Sequence, residues 1–223
     1  MNQTAFEILR STSLPGLLEQ EIERFILDGE VAPGGHLNEK EIAFRFGISR
    51  GPVREALRSL ESSGLIEQVP NRGFFVRRLS AAEASDVYDV RMVLFGLAGK
   101  VLAERATDDD IARLRRFVGD MDEAIGADDH ARYISLNFAL HEFIVVQSGN
   151  EVLAQQYLTL VKQLRLHRAH SLMHGDAIHA SNLEHHMMVD AIAARDPVQA
   201  FKAHANHVET AKGRLMAATN PLA

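Results

Sequence analysis

The stretch that decides the fold runs from Ser49 to Leu65 and reads SRGPVREALRSLESSGL. Four apolar residues recur in it at spacings of three, four and seven, which predicts one buried face of an α-helix: Val53, Ala56, Leu57 and Leu60. Ser49 suits the N-cap, Pro52 is tolerated in the first turn, and Gly64 ends the helix. The stretch therefore predicts a short amphipathic helix that begins after Ser49.

Arg50, Arg54 and Arg58 follow one another at intervals of four and line an exposed stripe beside the apolar face. Arginine pairs with O6 and N7 of guanine and also binds phosphate, so a short helix with this front is suited to a DNA major groove. A run of charge alone is also typical of an ordinary helical hairpin with a solvated face. The flanking segments decide between these two interpretations.

The segments on either side complete a DNA-binding pattern. Glu39–Phe46 predicts a second short helix and Gly47–Ser49 a tight turn between the two, which is typical of a helix-turn-helix. Leu65–Val69 and Phe74–Val76 predict two strands joined by a basic turn at residues 70–73, and such a hairpin is a wing. We therefore predict that this part of the chain binds double-stranded DNA.

The residues from Leu37 to Val76, LNEKEIAFRFGISRGPVREALRSLESSGLIEQVPNRGFFV, resemble the winged-helix domain of the GntR family of bacterial transcription regulators. The resemblance implies DNA contacts from a basic residue early in the second helix, two arginines of the third, and the wing tip. These are here Lys40, Arg50, Arg54 and Gly73, with Asn71 and Arg72 beside the glycine, and Ser49 and Arg58 complete the expected DNA-binding set. Lys40 replaces what is often arginine, which keeps the attraction to phosphate but loses a bidentate fork.

Composition narrows the class of protein. The 223 residues, 46% of them hydrophobic, suffice for one large or two modest domains, and the chain has no cysteine, which excludes disulfides and thiolate chemistry. No 18-residue apolar run or signal-peptide pattern is present, so we expect a cytoplasmic protein that does not span a membrane. The net charge of −6 is uneven: Lys40 to Arg78 holds eight Lys/Arg against four Asp/Glu, whereas Leu79 onward holds fourteen against nineteen. A basic DNA-binding domain therefore precedes an acidic one.

The second half shows helical periodicity, few breakers and no strand alternation. Its six predicted helices are Ala82–Arg105, Asp108–Ile125, His130–Gln147, Glu151–Leu172, Ala177–Ala194 and Pro197–Met216. With Leu14–Leu27 as the first helix of the winged domain, the fold class is mainly α. We expect a winged helix-turn-helix in residues 1–79, followed by an all-α bundle for effector binding and dimerisation in residues 80–223.

Histidines are concentrated in this bundle, where ten of the eleven lie at or after His130. Asn137 and His141 are four apart on one helix face, and His185 and His207 lie in the last two predicted helices. Three imidazoles with an oxygen ligand and an open position suit zinc or another divalent first-row metal. The spacing alone fits equally a set of hydrogen-bonded core or surface histidines.

Three segments, RMVLFGLAGKVLAERAT, NFALHEFIVVQSGN and EHHMMVDAIAARDPVQAFKAHANHV, resemble the FCD effector domain of the FadR-like branch of the GntR family. The resemblance implies a divalent metal, zinc first and nickel, manganese or another ion as alternatives, held by Asn137, His141, His185 and His207. Asn137 stands where the family usually has aspartate, which removes a negative charge. Phe95 stands where many relatives carry glutamate, which leaves Arg91 to bind an anionic effector.

The other histidines receive weaker assignments. His167, His170 and His174 share a helix face and are either a polar wall of the effector cavity or a basic exposed edge. We interpret five more as surface residues or neighbours of the metal ligands: His36, His130, His179, His186 and His204.

These features predict a metabolite-responsive transcription regulator, a repressor, that binds a two-fold DNA operator as a homodimer. The family resemblance implies that the effector bound in its helical domain is a small carboxylate. The alternative is a metal-dependent hydrolase, since three histidines and an open metal position can activate water. Against it, no carboxylate is suitably placed as general base, because Glu142 and Glu184 adjoin ligand candidates and adjacent helix positions point apart. A regulator that binds a fatty acyl ligand without metal is a third possibility, which the three matching histidines disfavour. We therefore expect no enzymatic activity.

Overall fold

The computed structural model describes residues 14–168 and 176–219. Among them are nine helices and three short strands. In chain order these are α1 (Leu14–Leu27), β1 (His36–Leu37), α2 (Glu39–Phe46), α3 (Arg50–Ser62), β2 (Ile66–Val69), β3 (Gly73–Val76), α4 (Ala81–Arg105), α5 (Asp108–Gly126), α6 (His130–Gln147), α7 (Glu151–Arg168), α8 (Asp176–Ala193) and α9 (Pro197–Thr219). The mainly α fold with a small wing confirms the predicted fold class.

Contacts divide the described chain into two compact units. Unit 1 contains residues 14–79 together with residues 162–168 of α7. Unit 2 contains residues 80–161 and 176–219. The side chain of His167, and all of His170 and His174, lie outside the described residues, so the prediction made for them stays open.

Unit 1 is a winged helix-turn-helix. Gly47 ends α2 in the left-handed conformation with φ 64°, which turns the chain directly into α3. The strands form an antiparallel sheet in the order β1-β3-β2, with Ile66 opposite Val76. The buried face of α3 packs with α1 and the sheet in one apolar core, which includes Ile22, Leu57 and Phe74. This packing leaves the opposite face of α3 exposed.

Two local features of unit 1 were not predicted. His36 and Leu37 lead into α2 as expected, but they also form β1 and pair with Phe75 and Phe74 of β3. A two-residue strand carries no alternation that a sequence pattern could reveal. Ser49 occupies the N-cap position of α3 with extended backbone, but its side chain makes no capping hydrogen bond.

Unit 2 is an all-α bundle whose helices begin at well-formed caps. Ser80 and Glu83 form a capping box at the start of α4, as do Thr107 and Asp110 at the start of α5. Helix α4 packs against α6, α8 and α9, while α5 packs against α6 and α8. The core between them is apolar and fully buried at residues such as Leu140. None of the helices in the described ranges is long and apolar enough to cross a membrane.

Candidate functional site

The face of α3 that the core leaves free carries the predicted arginines. The side chains of Arg50 and Arg54 each keep 52% of their area exposed, and Arg58 is exposed one turn further on. Lys40 of α2 and Ser49 are exposed as well. Unit 1 therefore presents the basic residues on the outside of its helix-turn-helix, as expected for contact with a polyanion.

A carboxylate joins two of these arginines. Glu39, the first residue of α2, accepts hydrogen bonds from Arg54 Nε at 3.0 Å and Arg54 Nη2 at 2.8 Å. The same carboxylate accepts from Arg50 Nη2 at 2.9 Å. The hydrogen bonds from Arg54, followed by those from Arg50, hold the pKa of Glu39 below its usual value. Glu39 is a part of this face that the sequence analysis missed, because it lies in the preceding helix.

The wing tip is shaped by backbone conformation. Asn71 and Gly73 both have positive φ, 61° and 98°, and a Cβ on Gly73 would lie 3.0 Å from Nε2 of His36. The guanidinium of Arg72 lies over the Phe75 ring, with its central carbon 5.3 Å from the ring centroid. Asn71 and Arg72 are exposed at the turn. The wing tip thus presents the cationic guanidinium of Arg72 against the ring of Phe75.

In unit 2, three predicted ligands converge on one buried place. His141 of α6, His185 of α8 and His207 of α9 have ring nitrogens that all lie within 4.8 Å of one another. We call these three residues the histidine cluster. All three side chains are buried, and Nε2 of His141 lies 3.2 Å from Nε2 of His185. Asn137 is also buried, one helical turn before His141.

Two residues that the sequence analysis did not assign hold His207. Glu184 Oε2 accepts a hydrogen bond from His207 Nδ1 at 2.7 Å, and Arg214 donates to both oxygens of Glu184 at 3.0 and 3.2 Å. Glu184 was expected to point away from the site because it adjoins His185, and this expectation is wrong. It points away from His185 but reaches the ligand on the next helix. Because Nδ1 donates to this carboxylate, the lone pair of His207 lies on Nε2.

Arg91 reaches the cluster from α4. It is 2% exposed, donates to the Tyr157 hydroxyl from Nη2 at 2.9 Å and from Nε at 3.2 Å, and places Nη2 3.2 Å from Nδ1 of His141. Its Nη1 is buried and has no hydrogen-bond partner among the described residues. Arg91 was predicted to be free of a carboxylate partner, and its hydrogen bonds within the described residues go to the Tyr157 hydroxyl instead. Tyr157 lies 66 positions away in the sequence, which explains why no local pattern revealed it.

Phe95 occupies the position beside Arg91 where a glutamate was expected in relatives. Its ring is stacked on Tyr157 at 4.9 Å between centroids and lies 4.7 Å from the His141 ring. The other side of Phe95 meets His204 at 5.0 Å. The phenylalanine therefore gives the cluster an apolar wall where a carboxylate would have neutralised the cation.

His204 is not a surface residue. It is fully buried, and its Nδ1 lies 2.6 Å from the carbonyl oxygen of Ala200. Its ring fits against α4 only because residue 99 is glycine, since a Cβ there would lie 2.4 Å from the ring. Burial lowers the pKa of His204 to about 4, and burial followed by the nearby His207 also lowers the pKa of His185 well below its usual value. Both imidazoles are therefore neutral at physiological pH.

The donor set of the cluster fits a divalent metal. Two nitrogen ligands of a tetrahedral zinc ion lie about 3.3 Å apart, because each bond is about 2.0 Å long. The 3.2 Å between His141 and His185 is close to that spacing. Ligation through Nε2 of His141 requires the proton on Nδ1, and the Tyr157 oxygen, 3.1 Å away, can accept its hydrogen bond. The buried histidine cluster can thus hold a metal ion.

A winged helix-turn-helix with exposed arginines is the architecture of a DNA-binding protein, and here an all-α bundle with a buried polar cluster follows it in the chain. Residues 17–76 match the family model described as bacterial regulatory proteins, gntR family, and residues 86–210 match the FCD domain. The chain therefore belongs to the GntR family of bacterial regulatory proteins and carries an FCD domain.

Individual relatives agree with this assignment. The HTH-type transcriptional regulator YdhC of Bacillus subtilis is 33% identical over 132 residues, which cover 58% of this chain and 58% of that protein. The HTH-type transcriptional repressor NanR of Klebsiella aerogenes is 26% identical over 224 residues, covering 91% of this chain and 85% of that protein. The solved structure of E. coli McbR/YncC shares the fold, with a TM-score of 0.78, 22% identity, and coverage of 92% of this chain and 98% of that chain.

The matched families and relatives are transcription regulators. They confirm the interpretation of the chain as a regulator rather than an enzyme, and they lend no support to the hydrolase alternative.

The depressed pKa of His204 predicts a specific loss of stability in acid. The unfolded residue takes up a proton near its ordinary pKa of 6.5, whereas the folded one stays neutral down to about 4. The unfolded state therefore binds more protons in this window, and stability falls as pH decreases through it. We expect this residue to account for about 2 kcal/mol of the loss in the free energy of unfolding between pH 7 and pH 5.

Urea unfolding of the chelator-treated protein at both pH values measures the effect. His204→Leu removes the titrating group and should make the loss smaller by that amount, whereas the exposed His179→Leu should not. An identical loss in His204→Leu and in the wild type would contradict the assignment.

Proposed function

We propose that this regulator is a homodimeric repressor whose affinity for its DNA operator is controlled by a small carboxylate bound beside a divalent metal in the helical unit. The observation that carries the proposal is the buried guanidinium of Arg91, whose Nη1 has no hydrogen-bond partner among the described residues, next to the histidine cluster. A buried cation without a neighbouring carboxylate calls for an anion. The effector supplies that anion.

The operator is bound by unit 1. In this proposal Arg54 and Arg50 contact base edges in the major groove, and Lys40 contacts phosphate. The remaining contacts come from the exposed start and middle of α3 and from the wing tip, at Ser49, Arg58, Asn71, Arg72 and Gly73. The exposure of the arginine face and the local excess of basic residues support this assignment.

The metal is held by His141, His185 and His207, with Asn137 as a weaker oxygen ligand, and zinc is the first candidate because its sites favour imidazole. When bound, it supplies positive charge and an open position for an oxygen anion. In this proposal three residues of the chain position the effector and the metal ligand and keep the site dry. Arg91 orients the carboxylate, Glu184 fixes the ring of His207, and Phe95 excludes water. A neutral Asn137 leaves the charge of the metal less compensated than an aspartate would, which favours an anionic effector.

A two-fold operator requires two copies of unit 1, so we propose a homodimer formed by the helical unit. Exposed apolar residues on one face of α4 support this role for residues 80–223: Val90, Val93 and Leu97. Residues 1–79 form the DNA-binding domain in this division. Action as a repressor is proposed because the relative NanR is named as one. A protein that binds bacterial DNA acts in the cytoplasm.

The two kinds of DNA contact can be separated by mutation. Arg54→Ala should weaken binding to an operator selected from random duplexes by roughly 1–3 kcal/mol and relax its base preference. Lys40→Ala should weaken binding to selected and unrelated duplexes alike and reduce the slope of log affinity against log salt by about one. Salt titrations by fluorescence anisotropy measure both. Unchanged operator affinity in Arg54→Ala would refute the assignment of this arginine.

Metal content tests the site in unit 2. His185→Ala removes a buried ligand and should abolish stoichiometric zinc binding, measured by mass spectrometry of protein incubated with zinc and then dialysed. Asn137→Asp should raise zinc affinity, since a carboxylate oxygen is a stronger ligand than an amide. The matched control is His186→Ala, because His186 is exposed and pairs with Asp122 at 3.0 Å. Full zinc content in His185→Ala would exclude these residues as the site.

A further inference from the structure

The contact between Glu39 and the two arginines of α3 lies on the face proposed to meet DNA, but a carboxylate is repelled by phosphate. Glu39 lowers the positive charge of that face, and its side chain keeps only 15% of its area exposed while both arginines keep 52%. The geometry of the hydrogen bonds between Glu39 and Arg54 points to a second effect, on the orientation of the guanidinium.

The carboxylate engages one edge of the Arg54 guanidinium. Nε and Nη2 donate to Oε1 and Oε2 respectively, at 3.0 and 2.8 Å, so the two planar groups face each other as a fork. A guanidinium has five N–H donors. Two of them serve Glu39, which leaves one on Nη2 and both on Nη1. The pair on the Nη1–Nη2 edge is the one that fits O6 and N7 of guanine.

Glu39 therefore leaves the base-reading edge of Arg54 available and fixes the plane in which it lies. A free arginine side chain loses about 2 kcal/mol of rotamer entropy when it is ordered. A carboxylate that has already ordered it lowers this cost at the moment of binding. It also restricts the directions from which a base can be contacted, and this restriction favours one base over the others.

Glu39 is itself held in place. Asn38 caps α2 by accepting from the backbone N–H of Lys40 at 3.0 Å, which places Glu39 at the first helical position. A carboxylate is stabilised there by the helix dipole. The hydrogen bond from Arg50 Nη2 to Oε2 fixes the carboxylate from a second side. The helix cap and the hydrogen bond from Arg50 therefore both restrict the position of the carboxylate that holds Arg54.

We propose that Glu39 is a positioning residue for base recognition, which orients the guanidinium of Arg54 toward guanine and trades affinity for all DNA against selectivity. The inference rests on the proposed function, in which Arg54 reads a base. It predicts that loss of Glu39 moves specificity and general affinity in opposite directions. A purely structural residue would lower both together.

The test uses the full-length protein and a library of random-sequence duplexes, with sequencing of the bound fraction. Glu39→Gln keeps the size of the side chain and removes the charge, so one amide oxygen replaces the fork. The preference for guanine at the position read by Arg54 should fall about fivefold or more. Affinity for unselected duplex should rise, because a negative charge has been removed from the face.

Glu55→Gln is the matched control. Glu55 is exposed in α3, next to Arg54 in sequence, and it forms no ion pair with the arginines among the described contacts. Glu55→Gln removes the same charge from the same unit. It should therefore raise the affinity for unselected duplex similarly, while the guanine preference stays at the wild-type value. Equal loss of preference in both variants would show a general charge effect and overturn the proposal.

The double variant Glu39→Gln/Arg54→Ala shows whether Glu39 acts through Arg54. Its guanine preference at the position read by Arg54 should equal that of Arg54→Ala alone, since the positioned group is absent. A further loss of preference in the double variant, or wild-type preference in Glu39→Gln, would overturn this inference and leave the proposed function standing. Wild-type preference in Arg54→Ala would instead overturn the assignment of Arg54, and the inference with it.

Discussion

A permanent positive charge buried in the helical unit is the constraint on which the rest of that unit's chemistry depends. Arg91 has almost no exposed surface, and its donors go to the Tyr157 oxygen rather than to a carboxylate. Burial of a charge is costly unless it is compensated. The neighbouring residues give partial compensation only: the Tyr157 hydroxyl and the rings of Tyr88 and Tyr157, whose centroids lie 5.7 and 5.2 Å from the central carbon of the guanidinium. In our proposal an anionic effector supplies the remaining compensation.

The two units use the same device for different ligands. In unit 1, Glu39 accepts from Arg54 and Arg50 and fixes a group that meets DNA in our proposal. In unit 2, Glu184 accepts from His207 and Arg214 and fixes a group proposed to meet metal. In each case a partly buried carboxylate orients a nitrogen-bearing side chain and leaves its other edge available. Orientation of this kind lowers the entropic cost of binding and holds the side chain in one geometry.

Sequence reasoning succeeded where the signal is local. The bounds of α5 were predicted to within one residue, since Thr107 followed by Asp108 suits a helix start and the apolar spacing follows. The approach of three histidines from three helices also agrees with expectation, although it was the family resemblance rather than the spacing that singled them out.

The failures share a physical cause, since each involves residues far apart in the chain. Strand β1 exists only because β3 pairs with it, and Tyr157 meets Arg91 from another helix. The sequence around His204 does not distinguish it from an exposed polar residue of a helix. Its burial depends on the space that Gly99 leaves on α4. No period or motif in the sequence encodes such contacts.

The central claim is that an anion bound at Arg91 changes DNA binding. The most direct measurement is the dissociation constant of a selected operator, with and without the carboxylate that most stabilises the zinc-loaded protein in a thermal screen. The account predicts a change of about fivefold or more in the wild type, a typical allosteric coupling, and no change in Arg91→Met. A carboxylate that stabilises both proteins equally, or leaves operator affinity of the wild type unaltered, would contradict it.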